Sequence, residues 1–66
     1  MRVLYIPTYK CRYCGQVFRE GTTFDETHID EAFVMIPRLS QWAEAHVCDN
    51  HNIGAADFIG YERVIV

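Results

Sequence analysis

Cys11 and Cys14 stand two residues apart and are followed by Gly15, while the third cysteine, Cys48, has His46 on one side and His51 on the other. Thiolate and imidazole are the ligands of a tetrahedral zinc site, and a Cys-x-x-Cys pair can grip one ion from a single tight turn. The backbone amides beyond the first cysteine point at its sulfur, and the glycine after the second lets the chain leave with positive φ. A second pair is needed to close the tetrahedron, and Cys48 is the only thiol left to start it. By spacing alone, Cys48-x-x-His51 matches the separation of the first pair and is the more familiar half-site. His46-x-Cys48 also serves, since residues i and i+2 of a strand point the same way. Spacing leaves both histidines open.

Two other uses of the cysteines fit less well. As buried small hydrophobes they would leave unexplained the glycine after the pair and the two histidines beside the third. A thioredoxin-like pair wants its first cysteine at a helix N-terminus in a βαβ frame, and Val17 and Phe18 point instead to a hairpin. A catalytic zinc keeps a ligand position open. The deaminase version needs His-x-Glu ahead of Pro-Cys-x-x-Cys, which this sequence lacks. Glu44 shares a face with His46 and Cys48 if the segment is extended, and reads as a solvated strand residue. The expectation is a closed structural site and no enzyme.

The elements that must position these residues are short. Val3–Ile6 is β-branched and aromatic and reads as a strand that Pro7 marks as an edge or ends in a bend. The Cys11–Gly15 turn leads into a second strand at Gln16–Arg19, and Gly21-Thr22-Thr23 marks the next turn. From Thr27 the period changes: Ile29, Ala32, Phe33 and Ile36 form the stripe of an amphipathic helix. Thr27 has the form of its cap, and Pro37 is expected to stop it. Trp42–Cys48 alternates, which would put Trp42, Glu44, His46 and Cys48 on one face, although helix competes for its first half. Asp49–Asn52 is turn chemistry. Ile53–Asp57 reads as a loop or single turn, and Phe58–Val66 as a closing strand with a bulge at Gly60.

Composition sets the limits. A chain of 66 residues that is 50% hydrophobic wants a core, but a domain of that size hides only about 60% of its unfolded surface. A metal is one of the few staples that rescue so small a scaffold. Three cysteines cannot pair completely, the opening Met1–Pro7 lacks the layout of a secretory signal, and no apolar run is long enough for a membrane span. The reading is a single cytoplasmic domain over residues 1–66 with no membrane partner. A net charge of −3, with the basic residues scattered, disfavours nucleic acid as partner. Arg12 and Tyr13 at the knuckle tip would be its contact surface, and an unidentified protein partner is preferred.

Two stretches resemble a group of short phage and prophage zinc-ribbon-like proteins. Tyr9-x-Cys11-x-x-Cys14-Gly15 matches their opening. His46-x-Cys48, an acidic turn, and Gly54-x-Ala56-Asp57-x-x-Gly60 match their close. The middle of the chain is unmatched. The resemblance implies a zinc-ribbon-like α+β domain of antiparallel strands with one short helix. It implies Cys11, Cys14, His46 and Cys48 as ligands of one Zn2+, because the place of His51 is usually a turn glycine there. The function expected is a protein-interaction or accessory module. A weak nucleic-acid-binding ribbon and a zinc-linked redox sensor, in which oxidation of Cys11 and Cys14 ejects the metal, are the alternatives.

Overall fold

The computed structural model describes residues 1–66. Five strands form one antiparallel sheet: β1 (Val3–Cys11), β2 (Val17–Arg19), β3 (Phe24–Asp25), β4 (Glu44–Val47) and β5 (Ile53–Ile65). The spatial order is β2-β1-β5-β4, with β3 pairing β1 on the same side as β2. A 3₁₀ turn at Glu26–His28 leads into one helix, α1 (Ile29–Gln41). The architecture is thus a small α+β domain with an antiparallel sheet. No helix is long and apolar enough to cross a membrane.

Strand β1 runs through Pro7 rather than ending there, and it is central, not an edge. The Pro7 carbonyl accepts a 3.0 Å hydrogen bond from the Glu20 amide. In an antiparallel strand a residue's N and C=O leave by the same edge, so the missing N–H faces the gap where β2 has ended and β3 has not begun. Proline costs no ladder bond there. On its other side Pro7 pairs normally with Tyr61.

Strand β5 begins at Ile53, so the expected loop at Ile53–Asp57 is strand. Small residues read as a turn in isolation, but Gly54, Ala55 and Ala56 pair with β4 on one side, and Ala56 and Asp57 with β1 on the other. The bulge falls where expected. Thr8 pairs with Gly60 and Tyr9 with Phe58, leaving Ile59 unpaired, and Gly60 takes φ +137°. That rotation switches the register of the strand.

The helix departs from expectation at both ends. Thr27 does not cap α1, whose N-cap is His28 with no side-chain capping bond. Asp25 caps the preceding 3₁₀ turn instead, accepting from the Thr27 amide at 3.1 Å, the Thr27 hydroxyl at 2.7 Å and His28 Nδ1 at 2.6 Å. Pro37 lies inside α1, on its exposed side, and the helix continues to Gln41. The inward stripe is buried Ala32 with half-buried Met35, Ile36 and Leu39, whereas Ile29 and Phe33 are exposed. Periodicity identified the helix and misjudged its rotation, because Phe33 and Val34 are apolar residues on the outer face.

Packing is thin. The helix lies against β3 and β5, and Tyr9, Cys11, Cys48 and Ala56 form the buried cluster, flanked by Phe18 and Phe58. The principal extents are 38 × 25 × 13 Å, and the radius of gyration is 12.7 Å, against about 11 Å for a compact domain of this length. Trp42 is exposed.

Two outcomes follow from this geometry. Gly60→Ala meets no steric neighbour, so its cost is backbone strain alone, about 1–3 kcal/mol by denaturant unfolding. His28 titrates above its ordinary 6.5 because Asp25 accepts its proton and adds negative charge. The favourable contact is therefore present below pH 6.5 and is lost as pH rises through the raised value. NMR titration of Asp25→Asn returns the His28 midpoint toward 6.5.

Candidate metal centre

The register of the sheet assembles the site. Paired residues of adjacent strands share a face, as do residues two apart on one strand. Cys11 pairs with Ala56, Ala56 with Glu44, and Gly54 with His46. Cys11 at the end of β1 and His46 on β4 thus lie on the same face with β5 running between them. That arrangement works only if β5 carries nothing bulky there. A Cβ at Gly54 would lie 2.5 Å from Cys11 Sγ and 2.9 Å from Tyr13 Cβ. Gly54 is the residue that spacing rules did not single out; its signal was its place six residues beyond Cys48, where a bare stretch of small residues resumes after the turn.

The knuckle turn supplies Cys14. The Gly15 amide donates to the Cys11 carbonyl at 3.0 Å, and Gly15 takes φ +77°. The second turn follows Cys48, whose amide donates to the Asn52 carbonyl at 2.8 Å while its carbonyl accepts from the His51 amide at 2.9 Å. His51 occupies the left-handed corner of that turn, at φ 67°. Its side chain is exposed and does not join the cluster.

The ligand atoms of Cys11, Cys14, His46 and Cys48 all lie within 4.8 Å of one another. The Sγ atoms of Cys11 and Cys48 are 3.8 Å apart and no cysteine is in a disulfide. A Zn–S bond of about 2.3 Å gives a tetrahedral S···S edge of about 3.8 Å. The separation is too long for a covalent bridge and right for two ligands on one ion. Cys11 and Cys48 are buried, His46 is half-buried and Cys14 is exposed, so the group sits on the rim of the sheet. The hollow beside it is lined by Cys14, Gln16, Cys48, Asp49 and Asn50.

His46 is held from two directions. Its ring stacks on Phe18 with centroids 4.7 Å apart and planes at 15°, and Nε2 lies 3.2 Å from Gln16 Oε1. Donation from Nε2–H to the Gln16 carbonyl selects the tautomer whose free lone pair is on Nδ1. A hydrogen bond to the non-ligating nitrogen is a usual support for a metal-bound histidine.

The three thiols differ in their electrostatics. The Cys14 backbone amide, against the opposing effect of burial, holds the Cys11 thiol below its ordinary range, with help from the Tyr13 amide and the other two thiols. Burial pushes Cys48 up to about 12, and hydrogen bonding with Cys14 and Cys11 adds to the rise. Three adjacent sulfurs cannot all ionise unless a cation sits among them. A divalent metal would supply that cation, and the four donors fit one.

Elsewhere the knuckle is tied down. Arg12 donates to both carboxylate oxygens of Asp57, at 2.6 and 2.5 Å, which raises the guanidinium and lowers the carboxyl. The Tyr13 hydroxyl accepts from Asn52 Nδ2 at 3.2 Å, joining the two turns. Against models of known families, curated proteins and solved structures, the chain shows no match.

The contact at Gly54 yields a direct outcome. Gly54→Ala drives a methyl into Cys11 Sγ and Tyr13 Cβ, so its metal affinity, measured by competition with a chromophoric chelator, falls at least about tenfold. An unchanged affinity would mean that the four donor atoms do not meet over β5.

Proposed function

We propose that Cys11, Cys14, His46 and Cys48 bind one structural Zn2+ and that the domain is a zinc-ribbon-like protein-interaction or accessory module without enzymatic activity. The observation that carries this reading is the convergence of three sulfurs and one imidazole within 4.8 Å of one another, with the Cys11 and Cys48 sulfurs 3.8 Å apart. Three soft sulfur donors with one nitrogen suit zinc and disfavour calcium or magnesium. With four protein ligands the coordination is complete, leaving no position for an activated water. The ion is a staple.

A staple is what this core lacks. Structural zinc contributes on the order of 10–16 kcal/mol in peptide-sized domains at neutral pH, comparable to the whole stability of a typical domain. Here it would join the end of β1 and its knuckle turn to β4 and the turn that follows β4. Once the metal has been spent on folding, function falls to the surface. Nucleic acid is a poor candidate for that surface: the net charge is −3, three thiolates around a divalent ion add about one more negative charge, and the one cation at the knuckle tip, Arg12, is already paired with Asp57.

The test is zinc content per chain on protein purified without chelator. One zinc is expected in wild type and in His51→Ala, with His46→Ala retaining zinc at least about tenfold more weakly. Chelation at neutral pH collapses the NMR dispersion of the wild type, and zinc restores it. Acid does the same, because protons compete for thiolate and imidazole. Wild-type protein that carries no zinc, or that stays folded after complete chelation, contradicts the reading.

A further inference from the structure

The outer face of α1 is largely apolar and uncovered: Phe33 is 74% exposed and Val34 71%, with Pro37 exposed a turn further on and Asp30, also exposed, at the start of the same stripe. Glu31 and Arg38 flank this stripe. They are seven residues apart, two turns of helix, and so lie on the same side of it. Neither makes an ion pair within the chain, whose salt bridges join Arg12 to Asp57, Arg19 to Glu62 and His28 to Asp25. Beside Val34 runs an apolar groove shared with Phe24 and Met35.

We propose that this face docks antiparallel against the same face of a second copy of the chain, with Glu31 of each opposite Arg38 of the other. The pattern is self-complementary in one orientation only. In an antiparallel helix pair, equivalent flanking positions of the two helices meet. A twofold axis between Val34 and Met35 sets both Glu31–Arg38 pairs in register at once. The two Val34 side chains meet near the axis, and each Arg38 stem lies over the partner's groove. A parallel pair would set Glu31 on Glu31 and Arg38 on Arg38.

The chain exposes 4858 Å², against about 4300 Å² for a compact monomer of its mass, in keeping with its flattened shape of 38 × 25 × 13 Å. The face of one helix would supply an interface at the small end of the specific range. This inference names a partner for the interaction module proposed above, and it rests on that reading only because the chain must be folded.

The experiment is sedimentation of the zinc-loaded full chain from about 10 μM to about 1 mM, the range in which an interface this small associates. Wild type is expected to pass from monomer to dimer. Val34→Asp stays monomeric, and Glu31→Lys or Arg38→Glu alone weakens the dimer about tenfold or more by setting like charges together. The double reversal, Glu31→Lys with Arg38→Glu, restores it. All three positions are exposed on α1, and zinc content and NMR dispersion verify that each variant is folded. A wild type monomeric throughout overturns the proposal and leaves the face to an unlike partner. A dimer indifferent to Val34→Asp, or a double reversal that fails to restore, overturns it as well. Folded variants with one zinc per chain keep that failure separate from failure of the metal reading.

Discussion

The structure depends on an empty volume above one residue of β5. Four donor atoms converge from three places, and the strand between them must pass without a side chain. Gly54 provides that passage, since even a methyl group would press on Cys11 Sγ. Ala56, fully buried, continues the floor beneath Cys11. The choice of the two smallest residues at alternating positions is therefore a consequence of what lies above them. The same two residues would be poor choices for a strand judged by propensity.

A domain with so few buried residues gains little from hydrophobic burial. The aromatic group of Tyr9, Phe18 and Phe58 adjoins the donor cluster, and Phe18 stacks on His46. Core and candidate metal centre are thus one continuous object, not two. Tightening one orders the other, and Gln16 and Phe18 fix the imidazole while belonging to the same hairpin as Cys11 and Cys14. The far end of the sheet, where α1 packs, is less well covered and shows the apolar outer face of the helix to solvent. One end of the molecule is built to hold itself together; the other is where surface is left over.

How much of this was legible in the sequence varies by segment. The knuckle was, because Cys-x-x-Cys-Gly encodes a turn whose geometry is local. The gathering of Cys48 with the first pair was also legible from residue chemistry. Spacing did not choose between His46 and His51, since each is compatible with ligation, and only the resemblance favoured His46. What separates them is the turn after Cys48: its hydrogen bonds put His51 at a left-handed corner, facing away, and that conformation is a property of the closed sheet. Pro7 and Pro37 misled for a related reason. Proline's local rule forbids a hydrogen bond: at Pro7 none was due because β2 has ended, whereas at Pro37 the bond to the Phe33 carbonyl is forfeited on the exposed side of α1, where water can reach that carbonyl. Ile53–Asp57 misled because small residues carry no periodic signal, and their strand character comes from pairing on both sides.

The central claim is that one metal ion is held by three sulfurs and one imidazole. X-ray absorption at the metal edge of the purified, loaded protein reads that coordination directly. The account predicts zinc with three sulfur neighbours at about 2.3 Å and one imidazole nitrogen at about 2.0–2.1 Å, with the nitrogen contribution lost in His46→Ala and kept in His51→Ala. A shell of oxygen and nitrogen without sulfur, or an imidazole signal that disappears with His51 instead, would contradict it.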